Sequence, residues 1–190
     1  MTALDGLDDG ELVRRLGAGD EEAFGVVYRR CHGSVYRFAL RMSGSAEVAE
    51  EVTQEVFLLL IRSGHCYDAA RGPLVAFLLG VARNHVRRSV ERERAFLPLA
   101  DSAEEGEAPP VDPRDLLGDL TRRENIESVR RAVLTLPPDY REVVALCDLD
   151  EIDYAAAAKI LGCPVGTVRS RLHRARSMLV AKLRAARCFV

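Results

Sequence analysis

Apolar residues recur along this chain in steps of three and four, the spacing of helices that bury one face. Phe24, Val27, Tyr28, Cys31, Val35, Phe38, Ala39 and Met42 form one stripe, with Asp20 placed to cap its helix. Ser45 heads a second, in which Val48, Val52, Val56, Leu59 and Leu60 repeat. A short helix from about Asp9 to Leu16 precedes both. Gly64, Tyr67, Asp68 and Gly72 make Arg62–Gly72 a loop. Pro73 then suits the first turn of a third long helix carrying Leu74, Phe77, Leu78 and Val81. Sustained alternation and hairpin turns are nearly absent, so strands are not expected.

The pattern breaks at Leu97. Pro98, Pro109, Pro110 and Pro113, with the run Asp101–Glu107, make a stretch too poor in apolar surface to fold by itself. Helices resume near Arg122–Leu136 and continue as Pro138–Cys147, Tyr154–Leu161 and Pro164–Arg187. The expected fold is all-α: two helical lobes, 1–95 and 122–190, joined by an acidic flexible linker over 96–121.

The end of the chain has helix-turn-helix proportions. Asp153 can cap a helix ending at Leu161, Gly162 permits a left-handed turn, and Pro164 can open a longer helix. On that helix Val165, Val168, Leu172, Ala175, Leu179 and Leu183 form a core stripe. Arg169, His173 and Arg176 flank it, and Ser170 and Arg174 lie opposite. Solvated faces generally mix in acids, and none follows Asp153. Such a helix suits a DNA major groove, where guanidinium forks read guanine edges and meet phosphates.

Net charge is −2 and decides nothing, but its distribution does. Residues 71–95 carry six basic side chains against two acidic, 96–121 one against seven, and 152–190 eight against one. Two basic blocks around an acidic one suggest two nucleic-acid surfaces and a spacer that avoids nucleic acid or mimics it. No apolar run reaches a membrane span and Met1–Gly10 is no signal peptide, which points to a cytoplasmic protein with no membrane role.

The five cysteines are scattered, without a C-x-x-C pair, and are expected as free thiols. If helices two and three turn over near Ser43–Ser45, Cys31 lies opposite Phe57 rather than Cys66. The offset of about 13 Å at helical rise is too far for Cys31-His32 and His65-Cys66 to share a metal. No metal, cofactor or catalytic residue is expected: the four histidines are scattered and no nucleophile–base motif appears.

With these residues in place the chain resembles the extracytoplasmic-function (ECF) sigma factors of bacterial RNA polymerase, from about Asp20 to Leu183. The resemblance rests on Ala23-Phe24-Gly25-Val26-Val27-Tyr28-Arg29-Arg30, on Glu51-Val52-Thr53-Gln54-Glu55-Val56-Phe57 and on Tyr67-Asp68-Ala69-Ala70-Arg71-Gly72 leading into Ala76–Asn84. Leu136-Pro137-Pro138 and the highly specific run Gly162–Arg176 complete it. Three departures stand out: Phe77 occupies a position where the family usually has Trp, His85 stands where a small or apolar residue is common, and Ala155–Ala158 follow Tyr154 where acids are common.

The resemblance implies a non-enzymatic factor that binds core RNA polymerase and promoter DNA, with an anti-sigma factor as a further partner. Gln54, Glu55 and Phe57 would meet the polymerase clamp, although core packing explains Phe57 equally well. Arg83, Asn84, Arg87 and Arg88 would hold melted promoter DNA, and Tyr67 would stack on an extruded base or else point inward as a structural tyrosine. Pro164, Thr167, Arg169, Ser170, Arg171, His173, Arg174 and Arg176 would read and grip the upstream element. The linker would thread toward the polymerase cleft or serve as a solvated tether. Two other readings are a helix-turn-helix activator or repressor working without core polymerase, and a protein-binding helical adaptor.

Overall fold

The computed structural model describes residues 4–96 and 126–187, and among them every regular element is helical. The expected linker, 96–121, lies outside the described residues except for Phe96. The N-terminal lobe comprises α1 (Asp9–Gly17), α2 (Glu21–Ser43), α3 (Ala46–Ser63) and α4 (Leu74–Phe96). The C-terminal lobe comprises α5 (residues 126–134), α6 (Pro138–Val144), α7 (Tyr154–Leu161) and α8 (Val165–Arg187).

Short polar side chains start these helices. Asp8, Asp20, Ser45 and Asp153 accept from first-turn amides of α1, α2, α3 and α7. Pro73 precedes α4 and offers no side-chain acceptor. Asp9 on α1 supplies one instead, its carboxylate accepting from the Leu74 amide at 2.9 Å and fixing the start of α4 against α1. Between α3 and α4 the expected loop is tightened into two single 3₁₀ turns, Gly64–Cys66 and Ala69–Arg71.

The α2 and α3 stripes meet in the core, with Val27, Val35, Phe38, Val52, Val56 and Leu60 all buried. Their register is the one the spacing predicts: the Phe57 ring lies 4.8 Å from Tyr28 and 6.5 Å from His32, on either side of Cys31. In the C-terminal lobe Val133, Leu136, Val143, Leu146, Leu161, Val168, Leu172 and Ala175 close a second packed region continuous with the first. Here α6 does not run on regularly to Cys147. It loosens into a π-helical turn, Ala145–Leu149, which ends as the Asp150 amide bonds back to Ala145 at 3.0 Å.

The lobes dock on each other. The end of α2 meets α6 and the π turn, and α4 packs against α7. Gly44, left-handed at φ 78°, ends α2 here, and a Cβ on it would stand 3.2 Å from Leu134 of α5. Arg141 on α6 donates to the Met42 carbonyl at 2.6 Å across the boundary and to the Leu134 and Leu136 carbonyls within its own lobe.

Candidate nucleic-acid and polymerase interfaces

The helix-turn-helix is built as its spacing predicts. Asp153 Oδ1 accepts from the Ala155 and Ala156 amides, both at 2.9 Å, and opens α7. Gly162 takes the left-handed conformation at φ 65°, which turns the chain into α8. Pro164 lies just before α8, and its carbonyl receives the Thr167 and Val168 amides. Val168, Leu172 and Ala175 are buried, which fixes the rotation of α8. Arg169, Ser170, His173 and Arg174 consequently face solvent.

The α8 cations fall into two groups. Arg171 is drawn to Asp139 at 2.6 Å, and Arg176 forks onto Asp148 at 3.0 and 2.5 Å, an arrangement that pushes its pKa further up. Arg169 lies 5.8 Å over the Tyr154 ring, and Arg174 makes no ion pair among the described residues. Ser170 turns its hydroxyl back to the Thr167 carbonyl at 3.0 Å. Thr167 itself is half-buried.

On α4 the four expected DNA residues separate. Asn84, Arg87 and Arg88 are exposed, around a core edge of Ala82 and Val86. Arg83 instead faces the other lobe, its side chain 13% exposed and its Nε 2.9 Å from Glu142 Oε1. The two approach without the alignment of a hydrogen bond, and Glu142 Oε2 has no hydrogen-bond partner among the described residues. Beside it, the turns before α4 enclose a cavity of about 350 Å³ walled by Tyr67, Arg71, Phe77 and Asn84, and by Ala156 and Lys159 of α7. Tyr67 lies inward, its hydroxyl donating to the Gly72 carbonyl at 3.1 Å and its ring 5.7 Å from Phe77. Burial and neighbouring acids push its pKa up to about 12.

A third feature lies on the far face of the N-terminal lobe. Phe24, Tyr28, His32 and Tyr36 stand one turn apart on α2 and, with Phe57 and Gln54 of α3, line an open groove of about 570 Å³. Gln54 and Glu55 are both exposed, but only Gln54 lines the groove. Phe57 is 4% exposed and forms the groove's floor from within the core. The sequence reading placed Phe24 and Tyr28 in the core stripe. Tyr28 is 39% exposed and is a wall of the groove. The i, i+4 run of rings including His32 was the signal for this second face.

Sequence reasoning also missed Glu142, Asp150 and Arg41. Glu142 is 1% exposed, and Arg41 of α2 reaches Asp150 at 2.7 Å across the lobes. Acids embedded in the apolar runs Glu142-Val143-Val144 and Leu149-Asp150 were the available hint.

Comparison with known proteins agrees with this division. The family model for Sigma-70 region 2 matches residues 27–96, and that for Sigma-70, region 4 matches residues 126–179. The chain is 31% identical over 186 residues to the ECF RNA polymerase sigma-E factor of Escherichia coli K12, covering 93% of this chain and 95% of that one. It is 28% identical over 181 residues to the ECF RNA polymerase sigma factor SigW of Bacillus subtilis, covering 90% and 95%. It is 33% identical over 147 residues to SigE of Mycolicibacterium smegmatis, an ECF RNA polymerase sigma factor of which it spans 55%. The fold is shared with CnrH, solved in complex with the cytosolic domain of CnrY, at TM-score 0.70 and 23% identity over 93% of this chain and 97% of that one. It is shared too with RpoE from Bartonella quintana, solved with the anti-sigma factor NepR, at TM-score 0.66 and 23% identity over 85% and 96%.

Proposed function

This chain belongs to the ECF sigma factors of the sigma-70 family, and we propose from that premise which of its surfaces meet polymerase, promoter and a silencing partner. As a sigma factor it directs promoter-specific transcription initiation by RNA polymerase and is not itself an enzyme. A regulator that dispenses with core polymerase, or a mere adaptor, has no need of both family regions in one chain.

The observation that carries the assignment is the face of α8. Its buried stripe turns Arg169, Ser170, His173 and Arg174 outward together, with no acid on the helix. That face reads the upstream promoter element, Arg169 and Arg174 reaching base edges as forked donors, with Pro164 and Thr167 setting the start of the helix against the backbone. Arg171 and Arg176 grip phosphates, each in exchange for its carboxylate. On α4, Asn84, Arg87 and Arg88 hold the melted strand together with Arg83 once that residue is released. Tyr67 shapes the base pocket through its bond to Gly72 rather than by presenting a free ring.

The aromatic groove is the polymerase contact, with Gln54 on its rim and Phe57 beneath; Glu55 meets the clamp from outside the groove. We place the working units at 1–95, 96–121 and 122–190, the middle one an acidic tether. No described helix is long and apolar enough to cross a membrane. A cytoplasmic site of action and an anti-sigma partner follow from the family, the partner in keeping with the complexes in which CnrH and RpoE were solved. Reconstituted transcription tests the whole. The purified chain with core polymerase should initiate from a subset of a promoter library and footprint little alone. A footprint of equal strength without core polymerase would refute it.

A further inference from the structure

Tyr154 opens α7 one residue after its cap, Asp153, and its side of the helix stays at the surface, 37% exposed. Four alanines follow it, and α7 carries no acid that could draw an arginine of α8. On α8, Arg169 and Arg176 are seven residues apart, two turns and about 10 Å along one face. Both meet Tyr154. The Arg169 guanidinium lies over the ring, 5.8 Å from its centroid, and makes no ion pair among the described residues. The Arg176 guanidinium is forked onto Asp148 and has the Tyr154 hydroxyl beside it; Asp148 first, and Tyr154 after it, push the Arg176 pKa further up. Asp148, Arg176, Tyr154 and Arg169 therefore form one row, with the tyrosine as the link between the two arginines. Arg174 has no ring or carboxylate partner among the described residues.

We infer that Tyr154 is a positioning residue for promoter reading: its ring presets Arg169 for the base edge and so sets the strength of preference at that base pair. The inference rests on the reading of Arg169 as a base-edge contact. An exposed arginine carries the rotamer freedom of a long side chain, and a base contact must remove it. The π face of a ring attracts the cation and removes part of that freedom before DNA arrives, so the contact forms at lower cost. Without the ring Arg169 is still charged and exposed. It can still meet phosphates, which carry no sequence information, so general affinity survives while discrimination falls. The hydroxyl lies on the side of Arg176, which grips phosphate, so ring and hydroxyl have separable effects. Arg174 reads without this device, and its base pair is independent of Tyr154.

The test uses the full chain bound to core polymerase, with binding profiled over promoters randomised in the upstream element. Arg169→Ala first identifies the base pair that Arg169 reads. Tyr154→Leu, which keeps an apolar side chain against α8 but removes the ring, should lower preference at that same base pair roughly two- to fivefold, the effect of an exposed cation–π contact. Preference at the base pair identified by Arg174→Ala should not move. Tyr154→Phe, which keeps the ring, should keep the preference, and Tyr154→Met takes the place of Tyr154→Leu should the latter unfold. In the double variant, Tyr154→Leu with Arg169→Ala, the profile should match Arg169→Ala alone, because the ring acts only through that arginine. Uniform weakening of all sequences by Tyr154→Leu overturns the proposal, as that is the mark of a packing or backbone role. So does an effect of Tyr154→Leu that persists in full once Arg169 is alanine. Wild-type preference in Arg169→Ala removes the base-edge reading of Arg169 and the proposal with it. Altered preference in Arg169→Ala beside an unaltered Tyr154→Leu removes the proposal alone.

Discussion

Arg174→Ala and Arg176→Ala differ by two positions on one helix, yet the structure assigns them opposite consequences. Arg174 is exposed, makes no ion pair among the described residues and lies on the side of α8 away from Val168, Leu172 and Ala175. Its removal should leave stability unchanged and cost discrimination alone. A bidentate arginine–guanine contact contributes about 1–3 kcal/mol, so preference at one or two upstream positions should fall roughly 5- to 150-fold. Arg176 is engaged twice by Asp148, in a pair whose side chains are 55% and 25% exposed. Solvent screens such a pair, and breaking it should cost at most about 1 kcal/mol of stability. Because Arg176 must leave Asp148 to meet a phosphate, its loss should weaken every sequence alike and lower the salt slope by less than about 1. Binding profiles over randomised upstream elements, taken at several salt concentrations beside thermal melts, separate the two. If Arg169→Ala and Arg174→Ala both leave the preferred sequence untouched, α8 is not the reader.

Gln54→Ala with Glu55→Ala should weaken core-polymerase binding about thirtyfold, from two polar contacts of about 1 kcal/mol each, and leave the melt unchanged. The single Gln54→Ala variant, which alters the groove lining alone, should weaken binding about fivefold in a core-binding titration. Among the four described cysteines, alkylation by iodoacetamide followed by mass spectrometry should label exposed Cys66 first and Cys31 last, because burial pushes the Cys31 and Cys147 thiols both up to about 11 and Cys31 is the more buried. Lobe docking should tighten on mild acidification. Burial pushes the Asp150 carboxyl above its ordinary range despite Arg41 and the nearby Arg37, so the docked form binds the proton more firmly than the undocked one. Its contribution is complete below the ordinary carboxylate value and is lost as pH rises through the raised one. Protection of boundary amides, taken relative to the intrinsic exchange rate at each pH, should rise between neutral pH and that range, and Asp150→Asn should abolish the rise. The same dependence in Asp150→Asn would assign it to another group.

Local signals carried most of the fold. Each helix whose cap and stripe were both visible in the sequence begins at the expected residue, as with Asp20 and α2 or Asp153 and α7. Signals that depend on distant partners did not. Nothing next to Pro73 says that α4 is capped by Asp9, 65 residues earlier. The break at the end of α6 was equally hidden, since Ala145–Leu149 has helical spacing and the π turn serves contacts made by Asp148 and Asp150 elsewhere. The sites divide in the same way. Exposure of Gln54, Glu55, Arg169 and Arg174 follows from their place between apolar positions on one helix. The burial of Arg83 does not, because its counter-ion comes from the other lobe.

In three dimensions the basic field is narrower than the charge blocks suggest. Counted along the chain, residues 152–190 carry eight cations against one acid. In space, Asp139 and Asp148 stand against Arg171 and Arg176, though both precede that block in sequence. Those two pairs are exposed, so each contributes little to stability and mainly orients its guanidinium. The two that cross the lobes are buried, and removal of the arginine there strands a buried carboxylate, at a cost of about 3–5 kcal/mol. One short anionic segment therefore acts in two ways: it orients the outer arginines of α8 at the surface, and between the lobes it makes the contact specific for Arg41 and Arg83. Arg169 and Arg174 are among the α8 cations that pair with none of these acids, and both lie on its exposed face. A chain of nearly balanced net charge can thus keep a focused contact for DNA while Arg41, Arg83, Arg171 and Arg176 are engaged by the acids of one segment.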